Sequence, residues 1–137
     1  MIFYYIYKMF EGINKSYTTV VDVESLQALV EHIEVHNILA VDTEDTGLNT
    51  RKDRVIGFSI CGEAGISFYF PIFKWNMELG MLEELEIHGK SCKGIAIKVL
   101  EMLHGKKLIF HHGAYDIPII KQSLGVDLLA DLYCDTI

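Results

Sequence analysis

The chain has 137 residues, of which 50% are hydrophobic, and its formal net charge is -7 at pH 7. This length accommodates one packed core and is too short for two ordinary domains, and no apolar run approaches the roughly 20 residues of a membrane helix. The acidic balance argues against a broad electrostatic grip on nucleic acid, so a phosphate-bearing substrate would have to meet a local cation.

Cysteine usage and the N-terminal segment indicate a cytoplasmic protein with no membrane partner. Cys61, Cys92 and Cys134 are odd in number and share no CxxC spacing, so neither a disulfide framework nor a zinc ribbon follows. The opening MIFYYIYKMF lacks both a basic leader and a small-residue cleavage site. We treat residues 1–15 as an N-terminal extension, either an extra strand or a remnant that once packed on a neighbouring domain.

Strand and helix patterns alternate through the first half of the chain. A β-branched stretch predicts a strand at residues 17–22, and apolar spacing predicts a helix over residues 23–35. A buried strand is predicted at residues 37–44, followed by two short strands at residues 55–62 and 66–72. We expect these last three strands to be antiparallel neighbours.

The second half continues in βαβ order after an irregular connection. Two glycine breaks at residues 73–94 predict a variable connection with one helical turn. A helix is predicted at 94–103, a short strand at 107–111, a helix closed by glycine at 113–125, and a last strand at 131–135. The pattern predicts an α/β fold, with a mixed sheet flanked by helices.

Two carboxylates end the strand predicted at residues 37–44. Side chains two positions apart share a face, so Asp42 and Glu44 are predicted to stand side by side. Such a pair repels itself unless a cation sits between the two groups, and oxygen ligands suit Mg²⁺ or Mn²⁺. The alternative for an acidic pair alone is a solvated turn. Asp45 faces the other way and is predicted to cap the turn with Thr46 and Gly47, outside the site.

A second acidic position follows the strand predicted at residues 107–111. In HHGAYDIPII, Asp116 lies in the first turns of a helix that directly follows that strand. Its carboxylate can reach back to the end of the sheet where α/β folds bind ligands. Asp42, Glu44 and Asp116 are therefore predicted to converge.

These residues carry a family resemblance. VDTEDTGL resembles the first motif, Asp-x-Glu, of the DEDD superfamily of 3′-to-5′ exonucleases, and FHHGAYDIPII resembles its second motif, usually His-Asn-x-x-Tyr/Phe-Asp. The flanking sequence over residues 16–137 is similar to the proofreading domain of family A (DNA polymerase I-like) DNA polymerases. The resemblance implies a ribonuclease-H-like fold and hydrolysis of the 3′-terminal phosphodiester of DNA, with release of nucleoside 5′-monophosphates during replication.

The resemblance also implies cofactors, partners and residue roles. Two Mg²⁺ (or Mn²⁺) ions are expected, with Asp42 bridging both, Glu44 on the ion that activates water, and Asp116 on the second. The partners would be a single-stranded DNA 3′ end and a polymerase domain or another chain that supplies the missing motif. Substrate contacts are implied for Thr43, Leu48, His112 and Tyr115. Leu48 corresponds to a position that wedges against the terminal base, and packing under the turn is the alternative.

The chain departs from the family pattern at two places. His112 stands where the second motif usually has Asn, which keeps a donor but adds bulk and a titratable ring, so weakened activity is expected. The third motif, Tyr-x3-Asp or His-x4-Asp, has no free match, since His111 and Asp116 already form the second motif. Asp135 is predicted to cap a following helix. Residues 16–137 are therefore expected to be a C-terminally truncated exonuclease domain, or one that another chain completes.

Two other functions stay open at this level. The first is a ribonuclease of the same superfamily that acts on RNA ends, and the second is a non-catalytic domain that binds a nucleic acid end or scaffolds a polymerase.

Several further patterns have structural explanations. His32 and His36 lie four apart, but the sequence lacks the Glu of a zinc-protease motif, so a solvated helix face is predicted. Alternate residues of Phe68, Tyr69 and Phe70 are expected in the core rather than stacked on bases. Cys61 is expected to be buried.

Overall fold

The computed structural model describes residues 15–137, so the extension predicted for residues 1–15 lies, apart from Lys15, outside the described residues. The helices are α1 (Val23–Val35), α2 (Cys92–Glu101) and α3 (Gly113–Leu124). The strands are β1 (Ser16–Thr19), β2 (Ile38–Asp45), β3 (Val55–Glu63), β4 (Ile66–Pro71), β5 (Phe73–Asn76), β6 (Met81–Glu84), β7 (Glu86–Ile87), β8 (Lys90–Ser91), β9 (Lys107–Phe110) and β10 (Leu132–Asp135).

Six strands form one mixed sheet in the order β1-β4-β3-β2-β9-β10. The strands β2, β3 and β4 are antiparallel neighbours, as predicted. The strand β1 is parallel to β4, and β9 is parallel to both β2 and β10. The predicted class, an α/β fold with a mixed sheet flanked by helices, is confirmed.

Local sequence signals explain where the helices begin and end. The predicted bounds of α1 are confirmed. The helix begins directly after Asp22, because the Asp22 carboxylate accepts from the Ser25 backbone N–H at 2.8 Å and the two residues form a capping box. The helix α3 stops at Gly125, whose φ of 74° is a left-handed conformation that suits glycine. Within residues 15–137, none of the helices has the length and apolar character needed to cross a membrane.

The core lies between the helices and one face of the sheet. Leu39 and Val41 of β2 are buried, whereas Ala40 and Asp42, which alternate with them, are exposed. On the buried face, Phe58 stacks on Phe70 with ring centroids 5.3 Å apart. Buried side chains of all three helices join this same cluster. The opposite face of β2, which carries Asp42 and Glu44, is open.

The connection at residues 73–94 differs from its predicted form. Instead of a helical turn it forms two small hairpins, β5 with β6 and β7 with β8. The Asn76 side-chain oxygen accepts from the backbone N–H groups of Glu78 and Leu79, which closes the first hairpin. This Asx turn favours a tight reversal over a helix.

The predicted solvated face at His32 and His36 is wrong. The two rings lie 4.3 Å apart, and His32 Nε2 accepts from the Gly62 backbone N–H at 2.8 Å, so this pair packs on the sheet. Burial, reinforced by His36, lowers the pKa of His32. Cys61 is half-buried rather than buried, because it lies on the open face. Phe68 and Phe70 are buried, as predicted.

Candidate active site

A pocket of about 380 Å³ opens where β2 and β9 end. This is the carboxyl edge of two parallel neighbours, the position where α/β sheets gather ligands. Its lining residues are Asp42, Thr43, Asp45, Leu48, His111, His112, Tyr115 and Asp116. The pocket thus contains six of the seven residues that the sequence assigned to catalysis, metal binding or substrate contact, and Glu44 is the exception.

Glu44 shares the open face of β2 with Asp42, as the strand alternation predicts. It pairs across the sheet with Gly57, and the Tyr69 ring lies over that glycine so closely that a Cβ there would meet the Tyr69 hydroxyl. Burial raises the pKa of Tyr69, and the negative charge of Glu44 raises it further. The register between β2 and β3 shifts directly after Glu44. The next residue, Asp45, lines the pocket.

Asp116 is buried at 4% exposure and contacts the helix-facing side of β2. The Thr43 hydroxyl lies 2.7 Å from Asp116 Oδ1 and 2.8 Å from Asp45 Oδ2. A hydroxyl carries one proton and can donate to only one of these acids at a time. Thr43 therefore links two carboxylates and is turned away from the open face.

The prediction that Asp45 caps the turn after β2 is wrong. The turn after β2 is closed by Asp53, whose carboxylate accepts from the Thr46 hydroxyl at 3.0 Å and from the Asn49 backbone N–H at 2.7 Å. Asp45 instead points into the pocket beside Asp116. Strand alternation correctly placed Asp45 opposite Glu44, but it could not show that α3 packs a second acid on that same side.

The ionised forms of the buried acids in the pocket are destabilised. Burial raises the pKa of Asp116 to about 6, and the charges of Asp42 and Asp45 act in the same direction, against the hydrogen bond from Thr43. Burial also raises the pKa of Asp45. Both residues have a buried carboxylate oxygen without a hydrogen-bond partner, Asp45 Oδ1 and Asp116 Oδ2.

This donor set suits a hard divalent cation. Unsatisfied carboxylate oxygens are the ligands that Mg²⁺ and Mn²⁺ prefer, and a bound cation would remove the repulsion among Asp42, Asp45 and Asp116. Within residues 15–137, however, no three acidic, histidine or cysteine side chains are placed close enough to hold one ion together. The structure brings Asp42 and Asp116 to one pocket and leaves Glu44 outside it.

The helix that carries Asp116 is held at its first turn by Asp135. The two carboxylate oxygens of Asp135 accept from the backbone N–H groups of His112 and Gly113 at 2.9 and 2.8 Å. Asp135 therefore caps α3, which precedes it in the chain, a role that the sequence analysis did not predict. Its role at a following helix stays a prediction. Burial raises the pKa of Asp135, but the backbone N–H groups of Ile137, His112 and Gly113 together lower it below its ordinary value.

His112 occupies a conformation that explains the usual Asn of the second motif. Its φ of 69° and ψ of 51° are left-handed, a region that Asn tolerates better than other residues with a side chain. The imidazole is exposed at the rim of the pocket. Histidine thus keeps the turn into α3 at some conformational cost.

We expect Asp135→Ala to lower the free energy of unfolding by about 1–2 kcal/mol, because two N–H groups at the start of α3 lose their acceptor. Urea unfolding followed by circular dichroism measures this change. Asp135→Asn, which keeps one acceptor oxygen, should lose less. Equal stability of Asp135→Ala and the wild type would contradict the capping role.

Two remaining predicted contacts lie at the mouth of the pocket. Leu48 is 89% exposed, so the alternative in which it packs under the turn is wrong. The Tyr115 hydroxyl donates to the Gly47 carbonyl, which ties α3 to the turn after β2. The roles of Leu48 and Tyr115 in substrate contact stay predictions.

Comparison with known proteins supports the fold. No protein-family model and no curated protein matches the chain. Among solved structures, it resembles Brucella melitensis NrnC with bound Mg²⁺, at 19% identity and a TM-score of 0.51, over 89% of this chain and 50% of that one. It also resembles the Trypanosoma brucei RNase D:GMP complex, at 19% identity and a TM-score of 0.58, over 80% and 30%.

A third similar structure is the catalytic core of Trypanosoma brucei RRP6, at 16% identity and a TM-score of 0.57, over 91% of this chain and 30% of that one. The chain thus spans half or less of the length of these structures. The likeness confirms the predicted ribonuclease-H-like fold.

Proposed function

We propose that the chain is a metal-dependent 3′-to-5′ exonuclease domain of the DEDD type. The observation that carries the proposal is the pairing of Asp42 with the buried Asp116 in one pocket at the carboxyl edge of the sheet. The unpartnered Asp116 Oδ2 supports a cation there, since hydrogen-bond donors do not satisfy it. The sequence motifs and the nuclease-like fold point in the same direction.

The residues that would hold the metal ions are Asp42 and Asp116, which line the pocket, and Glu44, which shares the open face of β2 with Asp42. When bound, divalent cations polarise the scissile phosphate and make water a stronger nucleophile. The hydroxyl of Thr43 orients the Asp116 carboxylate, and Asp45 adds negative charge on its other side. Leu48, His112 and Tyr115 would contact the terminal nucleotide at the rim of the pocket.

Two substrate classes follow from different observations. The sequence resemblance favours a single-stranded DNA 3′ end and a proofreading role with a polymerase, and this polymerase partner rests on that resemblance alone. The likeness to an RNase D structure in complex with GMP instead favours an RNA end. Of the two, we infer an RNA 3′ end as the substrate.

Matched strands separate these classes. The chain is incubated in Mn²⁺ with a 3′-labelled RNA strand or with the DNA strand of the same sequence, and release of labelled mononucleotide is followed. Faster release from RNA supports the ribonuclease, and faster release from DNA supports proofreading. If neither strand is degraded but both bind tightly, the chain would be a non-catalytic end-binding domain rather than an exonuclease.

Metal binding is tested without any substrate. We expect Mn²⁺ to give a binding heat with the wild type, and the double variant Asp42→Ala, Glu44→Ala to lose most of it, because two carboxylate ligands disappear. Isothermal titration calorimetry provides the measurement. The matched control is Glu31→Ala, Glu34→Ala, which removes two exposed acids of α1. Identical heats for all three proteins would exclude a metal site at Asp42 and Glu44.

A further inference from the structure

We propose that the basic loop, residues 46–54, holds the phosphodiester backbone of a single-stranded nucleic acid beside the acidic pocket, with Arg51 and Lys52 as the phosphate contacts. The inference rests on the proposed function, because it requires a strand whose end enters that pocket.

Positive charge is concentrated in this loop, whereas the chain as a whole is acidic. Arg51 and Arg54 are the two arginines of the entire sequence, and Lys52 lies between them, whereas the chain as a whole carries -7. Salt screens interactions between exposed charges beyond about 8–10 Å, so a strand near the pocket responds to these local cations more than to the distant acids. The loop therefore supplies the local cation that an acidic chain needs to meet phosphate.

Arg51 and Lys52 are free to contact a ligand. Both are exposed, and in the part of the chain that the structure describes neither takes part in an ion pair within 4 Å. Arg54 is different, because its guanidinium lies over the Phe73 ring, 5.2 Å from the centroid. The fold thus uses Arg54 and leaves Arg51 and Lys52 available.

The loop is held in place by the residues of the turn and by α3. The Asp53 carboxylate accepts from Thr46 and Asn49, and it approaches Gly47 so closely that a Cβ there would lie 2.7 Å from Asp53 Oδ2. Tyr115, next to Asp116 in α3, donates to the Gly47 carbonyl. The cations therefore stand on a constrained loop, which lowers the entropic cost of ordering them on a ligand.

The basic loop and the acidic pocket adjoin each other. Leu48 lines both the acidic pocket and the open depression formed by residues 48–53, which includes Arg51 and Lys52. If the 3′ end of a strand enters the pocket over Leu48, the phosphates on the 5′ side of the terminal nucleotide would lie over this depression. The acids alone would repel such a strand, and the adjacent cations offset that repulsion.

The test is the salt dependence of strand binding. The wild type and the double variant Arg51→Gln, Lys52→Gln are titrated onto fluorescein-labelled single strands of DNA and RNA, with Ca²⁺ replacing Mg²⁺ to suppress cleavage. Loss of two phosphate contacts should reduce the slope of log K against log salt by about 1.4, since each contact to a single strand contributes about 0.7. The matched control, Lys93→Gln, Lys98→Gln, removes two exposed cations of α2 and should keep the wild-type slope.

The outcomes separate this inference from the proposed function. The inference is supported if the loop variant has a lower slope of log K against log salt and an unchanged Mn²⁺ binding heat. The lower slope is expected with both strands, or with one strand if the wild type binds only that one. A slope equal to that of the α2 control overturns it, and so does a wild type that binds neither strand. Loss of the metal site, by contrast, would show as absent Mn²⁺ heat in the wild type, whatever the slope.

Discussion

Replacing Asp116 by Asn is expected to lower the rate of 3′-end hydrolysis at least about 100-fold. Asn has nearly the shape of Asp and can still accept from the Thr43 hydroxyl, so the fold of the pocket should survive. The change removes the negative charge of the buried carboxylate, whose unpartnered Oδ2 is available to a cation. Release of labelled mononucleotide in Mg²⁺ measures the loss, on whichever strand the wild type degrades.

The control for this variant is Asp127→Asn, which neutralises an exposed carboxylate paired with Lys121 at 3.1 Å. It makes the same change in net charge away from the acids of the pocket, so its rate should stay near that of the wild type. A rate for Asp116→Asn within a few-fold of this control would exclude a catalytic role for the residue. Calorimetry with Mn²⁺ adds a readout that does not depend on turnover.

In the absence of metal, the same Asp116→Asn variant is expected to be more stable than the wild type above pH 6. The folded state raises the pKa of Asp116 from 3.8 to about 6, mainly through burial. Between these values the native state binds more protons than the unfolded state, so this group makes stability fall as pH rises from about 4 to about 6. Above pH 6 the full penalty is present, on the order of 2–3 kcal/mol at 1.36 kcal/mol per pKa unit.

Asn carries no charge at any pH and escapes this penalty. Urea unfolding of both proteins in EDTA, at pH 7.5 and at pH 4, isolates the contribution, because other groups titrate alike in both. We expect the advantage of the variant at pH 7.5 to shrink at pH 4, where Asp116 is largely protonated. Added Mg²⁺ should stabilise the wild type and leave the variant unchanged, since only a bound cation offsets the buried charge. A less stable variant at pH 7.5 would mean that the pocket already stabilises the ionised carboxylate.

Local patterns of sequence predicted most of the framework. The helix over residues 23–35 was predicted at its correct bounds, because its apolar stripe lies within the segment itself. The three antiparallel strands were predicted for a similar reason, since each is a short apolar run between turn residues. The hairpins of residues 73–94 were missed, because their apolar pattern is weak and side-chain turn chemistry at Asn76 decides their course.

Six of the eight residues that line the pocket were among the predicted site residues, but their arrangement was not predicted. Alternation placed Asp42 and Glu44 on one face of β2, and the helix start placed Asp116 near the same edge. Nothing local could show that Asp116 contacts Thr43 on the opposite face, or that Asp45 joins it there. The contact of Asp135 with α3 was missed for the same reason, since the N–H groups of α3 that it caps lie more than 20 residues earlier in the chain.

By itself, the sequence determined which acids end β2 and begin α3, and on which face of its own element each one stands. These are consequences of backbone periodicity, which depends only on neighbouring residues. The tertiary structure alone decided which faces meet. Packing α3 against the buried face of β2 puts Asp116 out of water beside Thr43 and Asp45, and this loss of hydration is the main reason for its raised pKa.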